Sequence, residues 1–478
     1  MAIASQNIKQ MPLEMVGSSV FGRYSKISNE QTYNMYISDD FLVNYAGYKN
    51  VLTIAPNGRG RGIFNSARFN HLIAVIDNGV YIINSSLAAT RIGSLSTFNG
   101  DVFMDENDNA QIAICDKSSL YVFNYANDTF QNVPLDFVPG YVKFQDGYLI
   151  APELGRPEWR LSGINDALTW PAGANNVGEF QTKPDNCVAC VRIPGQAGNL
   201  FVMGSTVTEP WTDTAYTNGS SSQLFPYKRS TSLNIDYGCL NPATIAESDT
   251  FVVFLGGNEK SGPAIMYSSG GPVQQISTDG INFKLSNLNN PSNSYAFLFK
   301  QDGHLFYQIT FADPSDNLTY AYDFNTKRFF TLTDQNMNAH IAKRVAFFND
   351  NYYFLSSIDG NIYLMDSTIT NYDGNEIPRI RVCKTMRMPD SSPFVAQNLN
   401  FIIEQGDSAN KQRVDMSVSR DGGETFSSYV PLNMNSLGNR RNKAIYYSLG
   451  YGNELTPQFR FWGDARFVVS NGMLGVYQ

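Results

Sequence analysis

The run with the clearest chemical pattern is Ser419-Arg420-Asp421-Gly422-Gly423-Glu424-Thr425-Phe426, which fits Ser-x-Asp-x-Gly-x-Thr-aromatic at every fixed position. A carboxylate set between hydroxyls and glycines accepts hydrogen bonds from the backbone N–H groups of its own turn, and the glycines permit positive φ. The run therefore reads as a structural hairpin, with Phe426 plugging it against the sheet and the Asp421 hydrogen bonds buried. Cys187-Val188-Ala189-Cys190 has the spacing of half a metal or redox site. Zinc needs four ligands, however, and no second pair or nearby histidine is available. In a strand, residues i and i+3 also point to opposite faces, so the pair reads as two core thiols. Arg192, in Val191-Arg192-Ile193-Pro194, has the chemistry to clamp a carboxylate bidentately. Asp105-Glu106-Asn107-Asp108-Asn109 offers oxygen ligands for Ca²⁺, against the preferred reading as a solvated hairpin tip. Gly58-Arg59-Gly60-Arg61-Gly62 lacks the Lys-Ser/Thr and helix of a phosphate loop and reads as a turn. His71, His304 and His340 stand singly, with no Ser, Cys or Asp at a nucleophilic spacing, so no triad is expected. No catalytic, cofactor or metal residues are assigned.

Strands must position these residues. YVFNYANDTFQNV from Tyr121 and YAYDFNTKRFFTL from Tyr320 align without a gap, so that Asn124 meets Asp323 and Phe130 meets Phe329. The same pattern of apolar strand, tight turn, aromatic strand and polar hairpin recurs seven times between about residues 60 and 390. A period of roughly 40–50 residues with about four short strands marks a β-propeller. Seven blades are expected, or six if the irregular unit near 187–240, with its polar insertion at 217–223, is not a blade. Asn78-Gly79 reads as the centre of a type I′ hairpin turn, which needs positive φ at both positions. After Pro389 and Pro393 the strands alternate at sandwich spacing. The expected organisation is thus all-β: an arm over 1–55, a β-propeller over 56–392, and a C-terminal β-sandwich over 393–478. A strand at 48–54 should complete the last blade, because ring closure removes an open edge.

Composition narrows the function. The formal charge is −8 and no Lys/Arg block occurs, which excludes a protein that grips nucleic acid through its phosphates. The first fifteen residues lack the apolar core of a signal peptide, and no run reaches the roughly 20 apolar residues of a membrane span. Five scattered cysteines fit reduced thiols in a chain folded in cytosol.

Two resemblances follow. The 419–426 run resembles the Asp-box of sialidases, and Arg192-Ile193-Pro194 resembles the step that opens their catalytic domains. The single full box lies in a different domain from Arg192, so this likeness reads as coincidence, and a glycan-binding or glycan-cleaving tail protein is the alternative. The broader resemblance involves both ends of the chain. YNMYISDDFLVNYAGYKNVL at 33–52, the entry into GIFN at Gly62, VDMSVSRDGGETFSSYVPL, Arg440-Arg441 and QFRFWGDARFVV resemble the P22-type phage tail hub, or packaged DNA stabilisation, family. That resemblance implies a non-enzymatic structural virion protein of a short-tailed phage, made in host cytoplasm and without cofactor. It implies a homo-oligomer, a hexameric hub ring below portal and adaptor, that continues the DNA channel. Such a ring retains packaged DNA without tight binding and docks a needle or plug and tailspikes or fibres. Arg440, Arg441, Tyr446, Tyr447 and Trp462 are the candidate interface anchors, since Arg and aromatic residues dominate desolvated interfaces.

Overall fold

The computed structural model describes residues 8–22, 29–214, 225–233, 235–405, 412–434 and 441–477. Seven antiparallel sheets follow one another along the chain as the blades of a propeller. The first runs through Gly60–Ser66, His71–Ile76, Gly79–Ile83 and Ala89–Ser94. His71–Ile76 is apolar at nearly every position because a middle strand of a blade is covered on both faces. Alternation sorts its side chains: Leu72, Ala74 and Ile76 pack toward the seventh blade, Ile73 and Val75 toward the second. Each fully buried Leu, Ile or Val side chain among them contributes about 1.5–3 kcal/mol.

The irregular fourth unit is a full blade of four strands, Cys187–Arg192, Leu200–Gly204, Thr208–Asp213 and Tyr227–Arg229, which rules out a six-bladed count. Its expected polar insertion at 217–223 lies outside the described residues. The seventh blade takes three strands from Ala342–Phe348, Asn351–Ser356 and Gly360–Asp366, and its outer strand is Gly47–Ala55 from the arm. The pairing runs from Gly360 opposite Ala55 to Asp366 opposite Gly47. Gly47 is required there, because a Cβ would stand 2.4 Å from the carbonyls of Ile369 and Asn371. Tyr48 follows and stacks on Tyr372 at 4.4 Å between ring centres.

One turn differs from expectation. Ile76 pairs with Gly79, so the loop is Asp77-Asn78, with Asp77 at φ +49°, and Gly79 is already in the strand. Gly79 is explained by packing instead: a Cβ would meet the Tyr81 ring at 2.6 Å. Asp302-Gly303 does form the doubly positive turn, at φ +48° and +83°.

The sandwich is built from both chain ends. One sheet orders Met35–Ser38, Phe41–Asn44, Phe467–Tyr477, Phe394–Gln405 and Arg441–Gly452, with Lys9–Leu13 also on Phe467–Tyr477. The other orders Asn29–Tyr33, Arg379–Val382, Glu454–Trp462, Arg413–Ser419 and Val430–Asn433, and meets the sixth blade where Tyr33 bridges Thr331 in parallel. Leu13, Met15, Met35 and Leu42 of the arm share one core with Phe401, Phe459, Phe461 and Leu474. The arm is therefore more than a closing strand, and Arg379–Val382 joins the sandwich ahead of residue 393. Arg381 explains why: its fully buried guanidinium donates to the carbonyls of Glu14, Met15 and Ser18 at 3.0–3.2 Å and to Glu30 at 2.7 Å. That set leaves no room for a Cβ on Gly17, which would lie 2.0 Å from Arg381 Nη2.

Candidate functional site

The Ser419–Phe426 segment caps the hairpin between Arg413–Ser419 and Val430–Asn433. Ser419 Oγ donates to Asp421 Oδ1 at 2.6 Å, and the N–H groups of Glu424 and Thr425 donate to the same oxygen at 3.0 and 2.9 Å. Thr425 Oγ1 closes the set on Oδ2, and Gly423 N–H donates to Ser419 Oγ at 2.9 Å. The Ser419 hydroxyl first, then Thr425, hold the Asp421 carboxyl well below the usual carboxylate range. Two details differ from the sequence reading. Asp421 is exposed, so its hydrogen bonds are not buried. Phe426 is half-buried over its own turn and stands outside the sandwich core, which Val414, Met416 and Phe459 fill.

The interface candidates separate. Arg440 lies outside the described residues. Tyr446 is buried at 4% exposure, with its hydroxyl donating to Val414 O at 2.8 Å, so it is a core residue and no anchor. Strand alternation is the reason: Tyr446 faces in, and Tyr447, at 66% exposure, faces out. Trp462 is half-buried, with Nε1 donating to Asp415 Oδ2 at 2.8 Å and Arg413 5.6 Å over its ring. Arg441 is exposed.

The structure assembles two groups that spacing does not reveal. His304 Nδ1 lies 2.9 Å from Asp323 Oδ2 and Nε2 lies 3.1 Å from Ser38 Oγ, the connectivity of a Ser-His-Asp relay. The expectation that no histidine pairs this way is thus overturned, because the arm brings Ser38 onto a blade 266 residues away. Ser38 precedes the exposed Asp39-Asp40 turn, and carboxylates there oppose an oxyanion. The relay therefore acts as a latch holding the arm hairpin to the sixth blade. Cys187 and Cys190 also meet, Sγ to Sγ at 3.9 Å, within one core containing Trp159 and Trp211. A bulge between Cys187 and Ala189 shifts the alternation, which corrects the assignment of the two thiols to opposite faces. Burial raises the Cys187 thiol pKa well above normal, and both thiols sit buried in that core.

The first strands of the blades surround the propeller axis, with Phe103, Tyr141, Ile245 and Arg344 lining a cavity there. On one side Lys343 lies 3.3 Å and Lys117 3.9 Å from Asp101. Burial raises the Asp101 carboxyl, but Lys343, Arg344 and Lys117 outweigh it and keep it below the usual range. A second cavity gathers Asp105, Lys143, Asp146, Arg192, Glu247 and Asp249. Lys143 Nζ lies 3.6 Å from Asp105 and 3.2 Å from Glu247, which ties two of the four carboxylates to a cation. The acidic run at 105–109 diverges: Asp105 turns to Lys143, Glu106 accepts from Ser66 and Tyr125, and Asp108 pairs with Arg68. Its oxygens do not converge on one point.

Among solved structures, virginiamycin B lyase from Staphylococcus aureus is 11% identical, with a TM-score of 0.45, over 67% of this chain and 99% of that one. The N-terminal domain of Nup159 is 11% identical, with a TM-score of 0.42, over 70% of this chain and 98% of that one. No curated protein matches. A family described as Bacteriophage P22 Gp10, beta-propeller, matches residues 30–370, from the arm through the seventh blade. No helix among the described residues is long and apolar enough to cross a membrane. With that match spanning well over half of its length, the chain belongs to the P22 Gp10 family of phage-stabilisation β-propellers, a structural protein family of the virion.

Proposed function

We propose that the protein is a subunit of a hub ring, a hexamer, that sits below the portal and adaptor of a short-tailed phage. The ring continues the DNA channel, retains packaged DNA behind a needle or plug, and docks tailspikes or fibres. The single observation that carries this reading is the family match over residues 30–370. The fold is compatible with it: a propeller closed by its own arm and braced by a sandwich is a rigid wedge suited to a ring. The protein acts by contact, without turnover. The net charge of −8 suits a conduit that DNA passes without sticking, so retention is by obstruction.

Particles assembled without this protein should package DNA and then lose it. Particles that keep their DNA and carry a complete tail would refute the reading. The alternative, a glycan-active propeller, draws on the cavity that brings Arg192 together with four carboxylates. Glycoside hydrolysis by the wild-type protein, abolished by Arg192→Ala, would replace the hub with that alternative.

A further inference from the structure

The outward face of the sandwich sheet made by Lys9–Leu13, Phe467–Tyr477, Phe394–Gln405 and Arg441–Gly452 carries large exposed apolar side chains among its polar ones. Register places Pro12, Met473, Asn400 and Ile445 in one row across the four strands, with Ile402 and Tyr447 in the rows on either side. Ile402 is 44%, Met473 45% and Tyr447 66% exposed. An apolar patch of this kind on a sheet marks a contact surface. The sheet also ends in Arg441–Gly452, and among the described residues no strand pairs its outer edge. A twelve-residue open edge beside an apolar face is what folded chains cover.

Charge indicates what covers it. Residues 379–478 carry 12 Lys/Arg and 8 Asp/Glu, leaving 23 and 35 of the chain's 35 and 43 for residues 1–378. Residues 1–55 carry 4 Lys/Arg and 4 Asp/Glu and are neutral, so within one chain residues 379–478 are net +4 and the propeller segment 56–378 is net −12. Lys443, opposite Ile402, places one of those cations at the patch, while the exposed Arg441 stands opposite Glu404.

We infer that this sheet face, centred on Ile402, Tyr447 and Met473, seats the acidic propeller of a second copy of the chain. The contact is heterologous: each copy offers the basic apolar face to one neighbour and its acidic part to the other, the geometry that closes rings. The inference rests on the ring reading for its partner, and it adds the face by which copies join.

The test compares wild type with Ile402→Glu, with Tyr447→Glu, and with Val430→Glu on the opposite sheet, by light scattering after size exclusion. A thermal melt of each confirms folding. The expected result is an oligomer for wild type and Val430→Glu that weakens as salt rises, and its loss in both face variants with melting unchanged. A face variant added in excess to wild type should shorten the assemblies, because it retains its acidic side. Assembly of the folded face variants at wild-type strength would overturn the inference and leave the ring intact. A wild-type chain that stays monomeric at every concentration and salt level would remove the ring reading itself. Should one face variant unfold, Lys443→Glu tests the same contact from the rim, and unweakened assembly of that variant counts against it.

Discussion

In the propeller, a strand's neighbour is the next segment of chain: Ile112 pairs with Phe123, eleven residues on. In the sandwich the arm strands take their neighbours from the opposite end, as when Pro12 pairs with Met473. Both regions bury antiparallel strands, but the first closes short loops and the second must close loops spanning almost the whole chain to complete its two sheets. Pairing of that separation is slow, so blades should form ahead of the sandwich. The arm is the exception within the propeller, since Gly47–Ala55 joins a blade completed more than 300 residues later. One segment thus finishes both regions, and the comparison is most exposed to failure there.

Removing residues 1–55 should have the largest effect. It takes the outer strand from the seventh blade and the strands Lys9–Leu13, Asn29–Tyr33, Met35–Ser38 and Phe41–Asn44 from the sandwich. Two open edges and an uncovered core then face solvent, and the chain should be insoluble. A soluble truncated chain with an unchanged melting temperature would mean that neither region depends on the arm.

Arg381→Ala separates the two regions. It leaves the blades untouched and strips the buried carbonyls of Met15 and Ser18, together with the Glu14 carbonyl and Glu30, of their donor. Deleting one partner of a buried, charge-assisted set costs about 3–5 kcal/mol. Equilibrium denaturation should show the sandwich, reported by Trp462, unfolding at lower denaturant than Trp159 in the third blade. Coincident transitions for the two tryptophans, shifted together, would show that the regions unfold as one.

The same contrast explains what the sequence disclosed. The aligned runs from Tyr121 and Tyr320 are the third and fourth strands of the second and sixth blades. Asn124 and Asp323 each close the turn with a side-chain oxygen accepting the N–H two residues on, both at 3.0 Å. A local hydrogen bond leaves a local signature, so the blades were legible from the repeat. The sandwich core was half legible: alternation marked 393–478, but nothing in 9–44 names a partner at 379–477. Ser38 and His304 are unremarkable residues until the arm docks. The Cys187 pair was misread because a bulge, which resets alternation, has no sequence mark here. Tyr446 and Tyr447 were both plausible anchors, and only the inward or outward phase of their strand separates them.

The smallest expected effect is at Asp421, and its sign with pH is fixed. The carboxyl is held below its ordinary range by Ser419 and Thr425, so its folded-state pKa lies below the unfolded one. Its contribution is then full above the unfolded carboxylate pKa of about 4 and is lost as pH falls through the folded value. Asp421→Ala should therefore be slightly less stable than wild type at neutral pH, with the gap shrinking steadily in acid. Because the carboxylate is exposed and its partners all lie within the hairpin, the loss should be confined to the sandwich transition and be far smaller than that of Arg381→Ala. Unfolding curves of both proteins at neutral and acidic pH check this. A gap that widens in acid would mean that the turn is held by the protonated acid, and a gap rivalling Arg381→Ala would mean that the hairpin carries weight for the whole domain.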